Sequence, residues 1–522
     1  MQVRAILFDT RSIQRYIFAD NRLKTNIGAS YIVSHVFEEV LLGDVLKSDA
    51  FGIKTIDTTS WKKGKELDGE LPADCYVAYI GGGNALLLFP DRGEDHRKEI
   101  VADFTEKLLV RFPGLKTGAA LGMLQLDTKE TPDAYRESMN QLYGTLKDNQ
   151  FSIFPQVNVE NTGMTLTCEV NGEAANAFVT KGPLVKEGES RFFSQEVVAK
   201  AEAAVKADVD LRTEFGDDLA DYTFPKELGR LGQREKENDI AVVHIDGNNM
   251  GNRFQQCKKL EARGVLSKQV SEKTKAAFRE LLKEIVAKRA SGAYDDYLDL
   301  KQQELPIRPM IIGGDDITFV CNAKLAIVFA KKFMEALMDE KTGGMSIDSC
   351  AGIAIVSASY PFFRAYELAE QLCDAAKASS RKSPGTSWLD FAILHGEQAP
   401  TLEQIREQEY KGALGDMHFG PYLVCGDGNH HSHIEKLLQA AYGIISNLPS
   451  SKYKEMRSVL QRSQHDINRF TEQLRHDGKK LPHVAGWDKY EETLWDHTSG
   501  KYRTPYVDAI EIIDYIPPKE AK

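Results

Sequence analysis

The stretch Met310-Ile-Ile-Gly-Gly-Asp-Asp-Ile-Thr-Phe-Val320 decides the reading of this chain. Two apolar runs, Met310–Ile312 and Ile317–Val320, flank Gly313-Gly314-Asp315-Asp316, the pattern of a β-hairpin closed by turn formers. Upstream, Ile240–Ile245 (IAVVHI) reads as a buried strand that ends at Asp246. A long helical pattern from about Lys268 to Lys288 separates the two. Downstream follow a helix (323–339), a strand (348–356), a helix (362–381) and a strand (387–393).

The same plan stands at the N-terminus. Val3–Phe8 (VRAILF) is a strand ending at Asp9, and Ile13–Phe18 and Ala29–Leu42 read as helix. Tyr76–Ile80 and Ala85–Phe89 form a second hairpin around Gly81-Gly82-Gly83-Asn84. Helices at 94–112 and 131–147 bracket a strand near Thr117–Leu124. The strand-end Asp and the Gly-rich tip lie roughly 70 residues apart in both halves (Asp9 to Gly81, Asp246 to Gly313), so the domain is duplicated. Each copy is expected to be α+β, a mostly antiparallel sheet with helices on one face.

Around these copies the chain divides into 1–150, a mixed linker at 151–237 with a helix near Gln195–Ala207, the second copy at 238–400, and a helical region at 401–522. In the last, Ile434–Ile445 and Tyr453–Leu474 are the clearest helical runs, and Tyr515–Lys522 reads as a frayed tail. The chain has 522 residues, 42% hydrophobic and 27% charged, which is ordinary for globular protein. A formal net charge of -11 argues against a protein that grips nucleic acid over its whole face. The seven cysteines, an odd count with no C-x-x-C pair, argue against a zinc ribbon and a disulfide framework. No apolar run approaches the roughly 18 residues of a membrane helix, and no signal peptide is visible, so a cytoplasmic protein without membrane contact is expected.

The chemistry follows from the carboxylates. Phosphoryl transfer needs a hard cation to neutralise phosphate charge and a stiff platform to align the reacting oxygens. Hard ions take oxygen ligands, and Asp246, Asp315 and Asp316 supply them from a strand end and a hairpin tip. Three carboxylates crowded together repel, and a bound Mg²⁺ or Mn²⁺ offsets that repulsion. Gly313 and Gly314 remove side chains where a triphosphate must approach the backbone. The turn Gly247-Asn248-Asn249-Met250-Gly251 leads towards a helix, and Gly247 and Asn249 offer amides suited to phosphate. Lys377, on the helix after the next strand, either reaches the triphosphate or stands as a solvated lysine; His395 is given no role. A given Gly-Gly-Asp-Asp string arises by chance in roughly one chain in a hundred, and its residues also make plain turns. The flanking strands and Asp246 are what turn it into a site. The first copy keeps Asp9 but has lost both hairpin carboxylates. It retains Lys24–Ser30, read as a helix start where Gly28 or Ser30 could meet a phosphate or base, or simply cap the helix.

Ser12-Ile-Gln-Arg-Tyr-Ile-Phe18, Leu23-Lys24 and Gly28-Ala29-Ser30 together resemble the first palm domain of the large polymerase-like subunit of type III CRISPR effector complexes. His244-Ile-Asp246-Gly-Asn-Asn-Met-Gly251 with Gly313-Gly-Asp-Asp316 resembles its second palm. The likeness covers roughly residues 1–150 and 238–395, and extends to the helical C-terminus. It implies two ferredoxin-like palm domains of the nucleotide-cyclase type plus helical domains. It also implies that the second palm converts ATP to cyclic oligoadenylate, a messenger in antiviral defence. The family's metal ligands fall on Asp246, Asp315 and Asp316, and its first-palm nucleotide contacts on Gly28 and Ser30. The implied partners are ATP and CRISPR effector subunits with guide and target RNA, with a homo-oligomer left open.

Three departures stand beside this. No N-terminal HD nuclease is found, since His465-Asp466 and His476-Asp477 sit in C-terminal helical sequence. No four-cysteine zinc element lies between the palms. Asn248 replaces the family's usual second Asp after the glycine, which predicts a weaker second metal site. These point to a reduced or stand-alone relative. Single-nucleotide and diguanylate-type cyclases share the palm and hairpin, and a non-catalytic nucleotide-binding or scaffold subunit is the reading from another class.

Overall fold

The computed structural model describes residues 1–64, 67, 70–126, 134–149, 161–301, 303–394, 396, 401–495 and 502–519. Residues 131–133 of the expected helix, residues 151–160 of the linker, His395 and the last three residues lie outside them. Two compact units form. One holds Met1–Gly216, Asn249–Lys275 and Met310–Asp315; the other holds Asp217–Asn248, Ala276–Pro309 and Asp316–Lys522.

In the first unit, β1 (Gln2–Arg11) is followed by α1 (Ile13–Ile17), α2 (Leu23–Val36), β2 (Ile56–Asp57), β3 (Cys75–Gly81) and β4 (Asn84–Pro90). Then come α3 (Arg97–Arg111), β5 (Lys116–Gln125) and α4 (Ala134–Asn149). The sheet order is β2-β3-β4-β1-β5, so the four long strands show the ferredoxin-like order, with the first strand between the third and fourth. The apolar run of β1 is central and buried, and Phe8 packs edge-on against Phe104 of α3 at 5.0 Å. A ribbon of β6 (Ala177–Val179) and β7 (Arg191–Phe193) precedes α5 (Gln195–Leu219), and Phe193 and Val197 build a small core there with Cys168.

The other sheet begins with β8 (Asp239–Gly247). After α6 (Met250–Gln255) and α7 (Leu260–Ala290) come β9 (Ile307–Gly313), β10 (Asp316–Asn322), α8 (Ala326–Met338), β11 (Ser349–Ser357), α9 (Phe362–Ser380) and β12 (Ser387–Ile393). With β13 (Tyr422–Cys425) at its edge, the order β13-β12-β11-β8-β10-β9 contains the same four-strand arrangement. The duplication read from the sequence is therefore present as repeated topology. Phe362, Ala365, Tyr366, Ala369, Leu372, Cys373 and Ala376 make the buried stripe of α9 at helical spacing.

Beyond residue 400, α10 (Leu402–Glu409) leads into β13 (Tyr422–Cys425), a four-residue strand that lengthens this sheet. Then follow α11 (Ile434–Asn447), α12 (Ser450–Leu460), α13 (Gln464–His476), α14 (Asp488–Thr493) and α15 (Tyr506–Glu511). The expected single run Tyr453–Leu474 is two helices, because Ser463 caps a fresh start by accepting the amide of Asp466. Among the described residues no helix is long and apolar enough to cross a membrane, and all seven cysteines are free thiols.

Candidate active site

Asp246, near the end of β8, lies directly opposite Asp316, the first residue of β10, in an antiparallel register. Residues opposed in this way point to the same face with Cβ atoms roughly 5 Å apart, and like charges there repel. Both side chains are about a quarter exposed, at 26% and 27%, so water screens them only in part. Oδ1 of Asp316 is buried, and the neighbour it meets is the His244 imidazole, Nδ1 at 3.3 Å. Two opposed carboxylates offer oxygens of the kind a hard divalent cation takes, although the ligand atoms of Asp246, Asp315 and Asp316 do not all lie within 4.8 Å of one another. Asp315 precedes Asp316 as the last residue of the hairpin turn.

His244 stands two residues before Asp246 and faces Thr318 of β10 in register. Its Nδ1 is 3.1 Å from Thr318 Oγ1 and 3.3 Å from Asp316 Oδ1. Burial works to lower its pKa, but the Asp316 charge, aided by Asp246, outweighs this and raises it. Half-buried Glu370 faces the same group, and desolvation raises its carboxyl. The sequence reading missed both; the signal for His244 was its place two residues before Asp246 on the same strand face.

Lys377 is no solvated lysine. Its Nζ lies 2.6 Å from Asp246 Oδ2, with Asp374 at 3.6 Å. Burial pulls its pKa down, yet the hydrogen bond it donates to Asp246 and the surrounding negative charge leave it raised. Gly352 on β11 makes this reach feasible: a Cβ there would meet the Ala369 carbonyl oxygen at 1.9 Å, so α9 lies hard against the strand. Lys377 sits one turn beyond Cys373, the other residue at that contact.

The remaining predicted residues fall as follows. A Cβ on Gly313 or Gly314 would meet nothing within 4 Å, so the space at the tip is open. Gly314 has φ +58. Asn249 also takes a left-handed conformation (φ 59) and precedes α6, while Gly247 closes β8 in register with Ser349. Asn248 is spent on structure: its amide donates to Ser380 Oγ at 3.0 Å, tying the strand end to the end of α9.

In the first sheet Asp9 faces Asn84 in the register that Asp246 and Asp316 occupy in the second, so the position survives with an amide in place of a carboxylate. Gly28 and Ser30 are not at a helix start as expected. They are buried well inside α2, where backbone amides are spent on intrahelical bonds, because the helix already begins at Leu23. Gly28 meets α5 instead, and a Cβ on it would come within 1.6 Å of the Lys200 carbonyl oxygen.

Two ferredoxin-like sheets, the second with an Asp-bearing Gly-rich hairpin beside a strand-end Asp, define a palm-domain protein. Residues 239–384 match the Cas10/Cmr2 second palm domain, and the chain is Cas10-like in its palm architecture. Among solved structures it is similar to Csm1 in T. onnurineus at 15% identity and a TM-score of 0.51, covering 98% of this chain and 69% of that one. Csm1 in a Csm1-Csm4 cassette with pppApApA is similar at 14% identity and a TM-score of 0.51, with the same coverage. A Csm1-Csm4 cassette with AMPPNP gives 13% identity and a TM-score of 0.50, covering 98% and 69%. No curated protein matches the chain.

Proposed function

We propose that the chain is a metal-dependent nucleotidyl transferase that converts ATP to a cyclic oligoadenylate-type messenger, as the palm subunit of a type III CRISPR system. The observation that carries this reading is the pair of carboxylates, Asp246 and Asp316, set opposite each other on adjacent strands at the Gly-rich hairpin. Asp246, Asp315 and Asp316 are the proposed ligands of Mg²⁺ or Mn²⁺. Such an ion, when bound, neutralises phosphate charge and favours ionisation of the attacking hydroxyl. Gly313 and Gly314 leave room for the triphosphate, and the Gly247 and Asn249 turn offers it amides. Lys377, poised on Asp246, turns to phosphate once that carboxylate is engaged elsewhere. Gly28 and Ser30, the first-palm nucleotide contacts implied by the resemblance, would act from within α2 by fixing its position. The similar Csm1 structures hold AMPPNP or pppApApA beside Csm4, which supports ATP as substrate and effector subunits as partners. The domain divisions at 150, 237 and 400 and a cytoplasmic setting belong to the same proposal.

Mass spectrometry of products formed from ATP, with and without effector subunits and target RNA, tests it. Adenylate rings or linear oligoadenylates are expected. ATP that binds but remains intact under every condition would favour a nucleotide-binding or scaffold subunit.

A further inference from the structure

The two Gly-rich hairpins close differently. In the first, both loop residues take positive φ, Gly82 at 59 and Gly83 at 77, as a type I′ turn requires. In the second only Gly314 does, at 58; Asp315 stays in ordinary backbone space, which fits type II′. These two turns share their first φ and differ mainly by a flip of the central peptide. In the second hairpin that peptide joins Gly314 to Asp315.

Its carbonyl is held. Thr274 Oγ1 donates to the Gly314 oxygen at 2.6 Å, and Thr274 is buried on α7 at 1% exposure. We propose that Thr274 is a positioning residue that locks the Gly314–Asp315 peptide in the flip state presenting the hairpin carboxylates to metal. In a trans peptide the N–H points opposite to the C=O. Tethering the carbonyl to α7 therefore aims the Asp315 amide away from α7 and keeps a carbonyl dipole from facing the open side of the tip. The alternative flip breaks this bond and drives Asp315 to positive φ, a region that side chains with a Cβ disfavour.

This inference rests on the proposed metal site, and the test separates the two. Mn²⁺ alone is titrated calorimetrically into the full chain, its Thr274→Val and Thr274→Ser variants, and Asp315→Ala/Asp316→Ala. Thr274→Val keeps the shape and loses the hydroxyl, and it should weaken Mn²⁺ binding roughly three- to tenfold, the effect of one net hydrogen bond. Thr274→Ser keeps the hydroxyl and should bind within about twofold of the parent. Mn²⁺ binding by Thr274→Val equal to the parent, while the double Asp variant loses it, overturns the role of Thr274 and leaves the metal site standing. Serine behaving like valine, with unfolding temperatures lowered alike, assigns Thr274 to packing and also overturns it. A parent chain that takes no Mn²⁺ overturns the site and the inference together.

Discussion

Lys377 Nζ meets Asp246 Oδ2 at 2.6 Å, so an ammonium stands where the proposed site needs positive charge. Charge from Lys377 and charge from a divalent ion act on the same carboxylate. Lys377→Met should therefore lower the metal-free unfolding temperature by roughly 2 °C, as befits a partly screened ion pair. It should also enlarge the rise caused by Mg²⁺. Thermal unfolding with and without Mg²⁺ reads both effects, and an unchanged Mg²⁺ response would contradict the competition.

Asp316→Asn makes a different prediction for stability. Removing one of two opposed carboxylates relieves repulsion but also gives up the His244 contact, so the metal-free protein should stay close to the parent in stability. Stabilisation by bound cation should vanish, since a ligand stabilises only the state that binds it. A scan of unfolding temperature against Mg²⁺ concentration would show a flat line for the variant.

In the second unit, buried His418 bridges two carboxylates: Nδ1 lies 3.0 Å from Asp508 Oδ1, and Nε2 2.9 Å from Asp390 Oδ1. Burial and the Arg406 charge pull the His418 pKa down, but Asp508 and Asp390 outweigh them and leave it raised. Both carboxylates, despite burial, are held below their ordinary values by these cationic neighbours and hydrogen bonds. A raised His pKa gives stability that is complete below the unfolded value near pH 6.5 and is lost as pH climbs through the folded one. The lowered Asp values give stability present above about pH 4 and lost as pH falls through the folded values. The parent should thus unfold more easily on the alkaline side. His418→Gln should be destabilised by about 3 kcal/mol at pH 6, with the alkaline decline flattened, because a broken buried pair leaves charge unpaired. Chemical denaturation from pH 5 to 9 checks the slope.

Gly28→Ala separates packing from binding in the first palm. With the Lys200 carbonyl in the way of any Cβ, α2 and α5 must part, and a loss of several kcal/mol is expected. A variant that folds like the parent but loses ATP affinity would overturn the packing role.

The parts of this molecule legible in its sequence are those set by short-range pattern. Apolar runs on both sides of Gly313–Asp316 and the run ending at Asp246 predicted adjacent strands, and the strands pair with the two Asp in register. The repeat of that spacing around Asp9 predicted the second sheet. What escaped depends on long-range packing. Whether Lys377 faces water or Asp246 turns on how closely α9 approaches β11, which Gly352 decides from 25 residues away. The place of Gly28 inside α2 hinges on where that helix begins, and Arg22-Leu23 carries no usual cap signal. β13 is too short for alternation to register, and it exists because β12 offers it an edge.

The most direct measurement is incubation of the purified chain with labelled ATP and Mg²⁺ or Mn²⁺, beside Asp315→Ala/Asp316→Ala. The account predicts oligoadenylate from the parent and none from the variant, with both folded. Equal product from the two, or product from the parent undiminished by chelating the metal, would contradict it.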